Sequence, residues 1–478
     1  MKNRILQTIF FIGMLFCLSC QKFLDVKPKD LFLKEDILKD RYALYNALNG
    51  VYLGLSHQNL YGEQLSMTTV DVLGQYYKNN SSDWSSVSNF NYSESSAMLK
   101  FDAIWSRAYT SIMNINSFID AVGKSTSDIK QSDKDILLGE AYGLRAYLHF
   151  DLLRLYGPVY STNKSKEAIP YMSESTMQLQ SIKTAEEVMN DVLKDINNSI
   201  DLLQNDPVVS HGVDYTLTND VALDFFKMRN RRFNYYAAQC LKARILLYAG
   251  DKVGANIASV KAIDEASKWF KWSPATQSMP NITNPDRVFS SEIIFGIDNY
   301  SMYDVYQSYF DVVNTEQEIL APLPDRLTEV FAGNENDYRF RVNWVSGASG
   351  GKAYRVFIKY KDVLDRNLYY RNFQPMIRLS EMYLIAAESS NSDVEAMRYL
   401  NELYRNRGIA EITVMGNKMD LIFKEYRKEF WGEGQMFFFY KRNFYPLIGN
   451  GKSSSNVRMD ETKYKVPLPN SEVLIRQN

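Results

Sequence analysis

The sequence predicts a mainly α-helical protein, a tetratricopeptide-like helical-repeat scaffold joined to an irregular part with short strands. Three observations lead there. Apolar residues recur at spacings of three and four through most of the first 270 positions. Ala243, Gly250, Asp251, Ala255 and Ala262 fall at the relative spacings of a tetratricopeptide unit, and Leu138-Gly139-x-x-Tyr142 echoes its first part. From about 273 to 370 the periodicity breaks, Asn, Pro and Gly become frequent, and β-prone runs appear at 292–297 and 355–360.

The N-terminus comes first in order. Lys2 and Arg4 precede an apolar run from Ile5 to Leu18, too short for a comfortable bilayer span and suited to a secretory signal. The run ends at Leu18-Ser19-Cys20, a pattern that resembles a lipoprotein signal in which Cys20 becomes the lipidated first residue. An ordinary cleaved signal leaving Cys20 as a free thiol is the alternative. With Cys17 lost and Cys20 acylated, only Cys240 remains, so no internal disulfide is expected, and its apolar surroundings suit a buried small hydrophobe. Residues 1–19 are thus expected to be signal and 20–36 an extended tether.

Residues 37–272 form the expected helical scaffold. Leu38, Tyr42, Tyr45, Leu48 and Tyr52 mark one helix face, and Ile104, Ala108, Ile112, Ile115 and Ile119 another. Between them the Ser/Asn-rich stretch 79–96 reads as a loop carrying Trp84, Phe90 and Tyr92. The stretch 137–160 is apolar nearly all round, which predicts a helix buried among others, ended by Gly157-Pro158. Thr184 and Glu187 form a capping box opening a helix to about 203. Residues 273–478 begin with the irregular stretch, then return to helices at 376–389, 394–407 and 421–431, and close on an extended, proline-bounded tail.

Charge and motifs exclude several chemistries. The net charge of −1 becomes −3 once Lys2 and Arg4 leave with the signal, so no basic nucleic-acid surface is expected. GASGG at 347–351 fits a serine elbow, but His57, His149 and His211 all lie upstream and a β-prone run follows where a helix is required. GNGKSSS at 449–455 lacks the first glycine of a phosphate loop, since Pro446 stands there. The histidines are far apart and no Cys or His pair has ligand spacing, so neither a metal nor another cofactor is expected. Glu425, Glu429 and Glu433 recur at helical spacing, and paired carboxylates can hydrolyse glycosides. Their neighbours Lys424, Arg427 and Lys428 point instead to solvated or ion-paired groups, and no enzyme activity is expected.

Several segments together resemble the SusD/RagB family of outer-membrane nutrient-binding lipoproteins. CQKFLDVKP (20–28) is similar to its tether, and GEAYGLRAYLHFDLLRLYGPV (139–159) to its most recognisable helix. MIRLSEMYLIAAES, AMRYLNELYRNRG, IFKEYRKEFWGEGQ and the closing YKVPLPNSEV follow in the family's order. After Glu433-Gly434 the family commonly has Arg and then Asp-Leu, whereas this chain reads GQMFFFYKR, a change that can alter a local buried ion pair. The resemblance implies four tetratricopeptide-like units and an irregular ligand-binding part. It also implies a lipid-anchored position on the outer membrane, facing outward, where such proteins capture oligosaccharides or peptides for a SusC-like TonB-dependent barrel.

Sugars lay their C–H faces on aromatic rings and hydrogen-bond to Asn, Asp and Arg, so exposed loop aromatics are the expected contacts. Trp84, flanked by Asp83 and Asn89, leads, with Tyr76 and Tyr77 adjacent. Tyr300 and Tyr303, in NYSMYDVYQSYF, form a second group and Trp344 a third. The alternatives are an adaptor or assembly lipoprotein with no small ligand, a peptide-binding member of the same family, and a glycosidase.

Overall fold

Helices that bury one face against the next helix in sequence build most of the molecule. The computed structural model describes residues 40–78 and 81–477. The expected signal, Cys20, the tether and Leu38 lie outside the described residues. Among those described, nine helices have eleven residues or more: α1 Arg41–Leu55, α2 Ser95–Lys124, α3 Gln131–Tyr156, α4 Ala185–Leu202, α5 Tyr235–Ala249, α6 Lys252–Ala266, α7 Leu379–Ser389, α8 Asp393–Arg405 and α9 Lys418–Glu429.

From α1 to α8 every helix packs on its successor, which stacks the eight as hairpins, and α9 packs on α7. The hairpin α5–α6 carries the small-residue signature found in the sequence. Ala243, Ala255 and Ala262 are fully buried between helices. Gly250 ends α5 at φ +85°, a left-handed conformation that costs a side chain dearly, and Asp251 caps α6 by accepting Gly254 N–H at 2.8 Å. The capping box at α4 also forms, with Glu187 N–H reaching Thr184 Oγ1 at 3.2 Å and Thr184 N–H reaching Glu187 Oε2 at 2.8 Å.

The central helix α3 is buried round most of its circumference. Gly139 and Gly143 let its neighbours approach, for a Cβ at 143 would sit 2.1 Å from Phe233 Cε1. Lys441 is buried beside its C-terminal end and donates to the Arg154 and Gly157 carbonyls, each at 2.7 Å. In the stretch where the sequence departs from the family's usual residues, this cation therefore meets carbonyls. Cys240 is a free, fully buried thiol on α5.

Among the described residues, four two-stranded antiparallel ribbons complete the fold. β1 (Glu167–Pro170) pairs with β2 (Ile182–Thr184), β3 (Ile293–Asp298) with β6 (Phe373–Arg378), β4 (Trp344–Ser346) with β5 (Arg355–Phe357), and β7 (Leu447–Gly449) with β8 (Asn456–Arg458). The β3–β6 ribbon, running from Ile293↔Arg378 to Asp298↔Phe373, is fastened to the helices. Asn234 Nδ2 donates to Ile294 O at 2.7 Å, and Arg244 Nη2 and Tyr147 Oη donate to Met376 O at 3.0 and 3.3 Å.

Three expectations need correction. The stretch 79–96 is not all loop, because Ser81 caps a helix, Ser82–Ser88, that buries Trp84 and Val87. Residues 376–378 are strand rather than helix start, since β3 supplies a pairing edge that periodicity cannot see. The tail is extended only to Pro469, after which Asn470–Gln477 is helical.

Candidate functional site

The open end of the β3–β6 ribbon brings polar and aromatic groups together around a cleft open to solvent. Asp298 closes β3 opposite Phe373, and Tyr300 follows two residues later with 70% of its surface exposed. The third side of the ribbon end is the short 3-10 turn Arg229–Arg231 before α5. Arg229 points inward, fully buried, and donates to Asp206 at 2.8 and 2.7 Å and to Glu140 at 2.5 Å. That anchorage sets the direction of the next two arginines.

Arg231 pairs with Asp298, donates to the Tyr369 carbonyl, and lies 4.6 Å above the Phe373 ring. Arg232 donates to Asn49 Oδ1 at 2.5 Å, lies 3.7 Å over the Phe225 ring, and approaches Glu140 at 3.5 Å. Between them opens a cleft of about 330 Å³ lined by Asn49, Phe225, Arg231, Arg232, Asp298 and Tyr300 among others. The cleft offers a ring face, guanidinium donors, and carboxylate and amide oxygens. Such a set can orient a polyhydroxylated molecule by hydrogen bonds while a ring takes its apolar face.

Of the sequence-derived candidates, Tyr300 alone is largely exposed at a cleft. Tyr303 is half-buried, its hydroxyl accepting Asn372 N–H at 3.2 Å and its ring lying under Arg371 at 5.1 Å. Trp84 is only 3% exposed, edge-on to Tyr309 at 5.6 Å and covered by Lys100 Nζ at 4.1 Å, so it is no loop-tip ring. Asp83 and Asn89 on the same helix are exposed. Tyr76, Tyr77 and Trp344 do come together, but inside the protein, at 4.2, 6.0 and 4.8 Å from the Trp431 ring. The expectation of exposed rings fails for these three, because a tryptophan more than 80 residues away in sequence gathers them. Cys20 lies outside the described residues. Asn49, Arg231 and Arg232 also line this cleft, and the sequence signals them only through the basic run Arg229-Asn230-Arg231-Arg232.

The three glutamates at helical spacing form a different kind of centre. Glu429 accepts from Arg407 at 2.6 Å and Arg339 at 2.9 Å and also pairs with Arg378. Glu425 pairs with Arg339 and Lys428 at 2.8 Å, and Glu433 with Arg378 at 2.9 Å and with Lys359. Burial by itself raises the Glu429 carboxyl, but Arg407, Arg378 and Arg339 outweigh it and hold the group well below the usual carboxylate range. A carboxylate so held does not deliver a proton to a leaving group. The GASGG and GNGKSSS segments are the turns of the β4–β5 and β7–β8 hairpins, where neither a nucleophile elbow nor a phosphate loop is formed. Among the described residues no group of three or more His, Cys, Asp or Glu is placed to hold a metal, and no helix is long and apolar enough to cross a membrane.

Comparison with known proteins adds the family. A family model described as "Starch-binding associating with outer membrane" matches residues 22–222, and a SusD family model matches residues 303–471. SusD-like protein P2 of Formosa agariphila is 27% identical over 154 residues, 32% of this chain and 30% of that protein. The chain thus spans about a third of the length of the curated relatives it matches. A SusD-like carbohydrate binding protein from Bacteroides vulgatus superposes with a TM-score of 0.69 at 19% identity, over 92% of this chain and 97% of the other. A laminarin-binding SusD-like protein gives 0.59 at 17% identity, over 85% of this chain and 92% of the other. With family models on both halves and one fold shared along nearly the whole length, the chain belongs to the SusD/RagB family.

Proposed function

We propose that this protein is a cell-surface lipoprotein, anchored through Cys20, that binds oligosaccharides in the cleft beside Tyr300 and hands them to a SusC-like TonB-dependent transporter in the outer membrane. The observation that carries the binding reading is Tyr300, a large ring 70% exposed beside a cleft of about 330 Å³ that mixes apolar and charged side chains. An aromatic ring left in water at such a place suits the C–H face of a sugar, and the surrounding Asn49, Arg231 and Asp298 suit its hydroxyls. Family membership and the likeness to a laminarin-binding SusD-like protein support the same class of cargo. Double acylation at Cys20 would hold the protein firmly at the membrane. Its role is capture and transfer, with no bond made or broken.

The test has two parts. Purified protein is titrated against a panel of soluble glycans including laminarin, beside Tyr300→Ala. Removing the ring is expected to weaken binding by about ten- to a hundredfold, the worth of about 1.5–3 kcal/mol of buried aromatic contact. Tagged protein recovered from detergent-solubilised membranes should bring a barrel-sized partner in stoichiometric amount. Binding that survives Tyr300→Ala unchanged would refute the cleft, and efficient recovery without a barrel would favour the adaptor reading.

A further inference from the structure

We infer that the binding surface continues from Tyr300 across Arg231 to a second aromatic position made by Tyr215 and Tyr369, and that it takes an extended, uncharged oligosaccharide. This rests on the reading of the Tyr300 cleft as a sugar site.

The two further tyrosines are among the large hydrophobic side chains left exposed, Tyr215 at 40% and Tyr369 at 38%. Their rings meet at 5.0 Å with a 48° tilt, which opens a notch rather than a closed stack. Both hydroxyls are tied down. Tyr215 Oη accepts Asn230 Nδ2–H at 3.0 Å, and Tyr369 Oη accepts from Ser290 Oγ at 3.2 Å. Rings held in this way lose little freedom when a ligand lands on them, so exposed area converts efficiently into affinity.

Arg231 is the bridge between the positions. It lines the Tyr300 cleft, pairs with Asp298 at the end of β3, and donates to the backbone carbonyl of Tyr369 just before β6. Behind the notch, Asn230 Oδ1 and Arg231 Nε are buried without a hydrogen-bond partner.

Charge sets the class of ligand. Each cation around the cleft already faces a carboxylate: Arg231 faces Asp298, Arg232 approaches Glu140 at 3.5 Å, and Lys227 approaches Asp214 and Asp224 at 3.5 Å. No unpaired cation is left among them to draw a uronate or a sulfate, while neutral hydroxyls meet both donors and acceptors.

The experiment is calorimetric titration with ladders of β-1,3-glucan, other neutral glucans and mannan, and a uronate ladder, each from disaccharide to heptasaccharide. Wild type, Tyr300→Ala and the double variant Tyr215→Ala/Tyr369→Ala are compared, with thermal melts to confirm folding. Wild-type affinity should rise with length on a neutral ladder and should not favour uronates. The double variant should keep disaccharide affinity within about twofold yet lose about tenfold on the heptasaccharide. Equal loss at every length, or none, would overturn the second position while the Tyr300→Ala loss left the cleft standing. Tighter binding of uronates would overturn the charge assignment. Wild type that binds no ladder, or Tyr300→Ala that changes nothing, would overturn the cleft and its extension together.

Discussion

Glu429→Gln tests whether the carboxylates of the C-terminal helices are structural. Glu429 is shared by three guanidinium groups whose side chains are at most 2% exposed, those of Arg339, Arg378 and Arg407. The connected cluster holds five cations, Arg339, Arg378, Arg407, Lys359 and Lys428, against five anions, Asp337, Glu292, Glu425, Glu429 and Glu433. Glutamine keeps the shape but turns this balance into one excess positive charge away from water. A single charge contact at about 4 Å and an effective dielectric constant near 20 is worth about 4 kcal/mol. Removing one partner of a buried pair costs about 3–5 kcal/mol once the desolvation regained is counted. Urea unfolding of the two proteins at neutral pH, followed by fluorescence, should show a loss of that size. The sign of the pH dependence is set by the depressed Glu429 carboxyl: its contribution is complete above the unfolded value of about 4.3 and fades as pH falls through the lower folded value. A loss below about 1 kcal/mol would refute the ionic clamp. So would glycan hydrolysis by wild type that Glu429→Gln abolishes without loss of stability, since it would make the carboxylate a catalyst.

His149 gives a second pH signature. It is fully buried, its Nε2 accepting Met172 N–H at 3.0 Å, and burial first, then nearby Arg145 and Lys183, lowers its pKa from 6.5 to about 3. The unfolded chain therefore takes up a proton below about pH 6.5 that the folded one refuses, and this group's contribution should fall by about 1 kcal/mol between pH 6.5 and 5.5 and by about 1.4 kcal/mol per unit below that. Unfolding free energies at pH 6.5 and 5.5 should show this loss as the difference between wild type and His149→Gln, because buried Asp286, its carboxyl pushed up to about 6, contributes with the opposite sign in the same window. Gly143→Ala and Gly250→Ala should separate crowding from backbone strain: the first meets Phe233 at 2.1 Å and should cost about 1–3 kcal/mol, while the second has open space but φ +85° and should cost about 1 kcal/mol. Trp84→Ala should lower stability by about 3–5 kcal/mol, as for a core ring, and a clean loss of glycan binding at unchanged melting temperature would contradict its burial.

The helical stack was readable because its signals are local. The recurrence of Ile104, Ala108, Ile112 and Ile115 lies within three turns of α2, and the residues that close the α5–α6 hairpin lie within twenty positions of one another. Strand β6 was not readable, because Met376 and Ile377 continue smoothly into an apolar helix and their partner β3 lies about eighty residues earlier. Trp84, Tyr76, Tyr77 and Trp344 are buried rather than exposed for the same reason. Composition distinguishes Tyr300 from Tyr76 not at all, yet the Tyr76 hydroxyl finds the Arg427 carbonyl at 3.0 Å across most of the chain, and Tyr300 stays in water. Arg231 acquires its meaning only when the ends of β3 and β6 arrive beside it.

The placement of the cleft follows from how the scaffold is braced. Arg244 on α5 grips Glu381 on α7 at 2.6 and 2.7 Å and reaches the β6 carbonyl of Met376, so the ribbon cannot slide along the helices without breaking a buried charge pair. Arg229 does the same for the turn before α5, locked by Asp206 and by Glu140 of α3. The exposed groups at the ribbon end are thus carried by backbone that is already fixed, and ordering them on a ligand costs little. The same bracing fits the proposed role in binding. Cleavage by a carboxylate pair needs one acid kept protonated and one base left free, whereas Asp298 and Glu140 each already face a guanidinium. A rigid surface with its charges paired is suited to recognition.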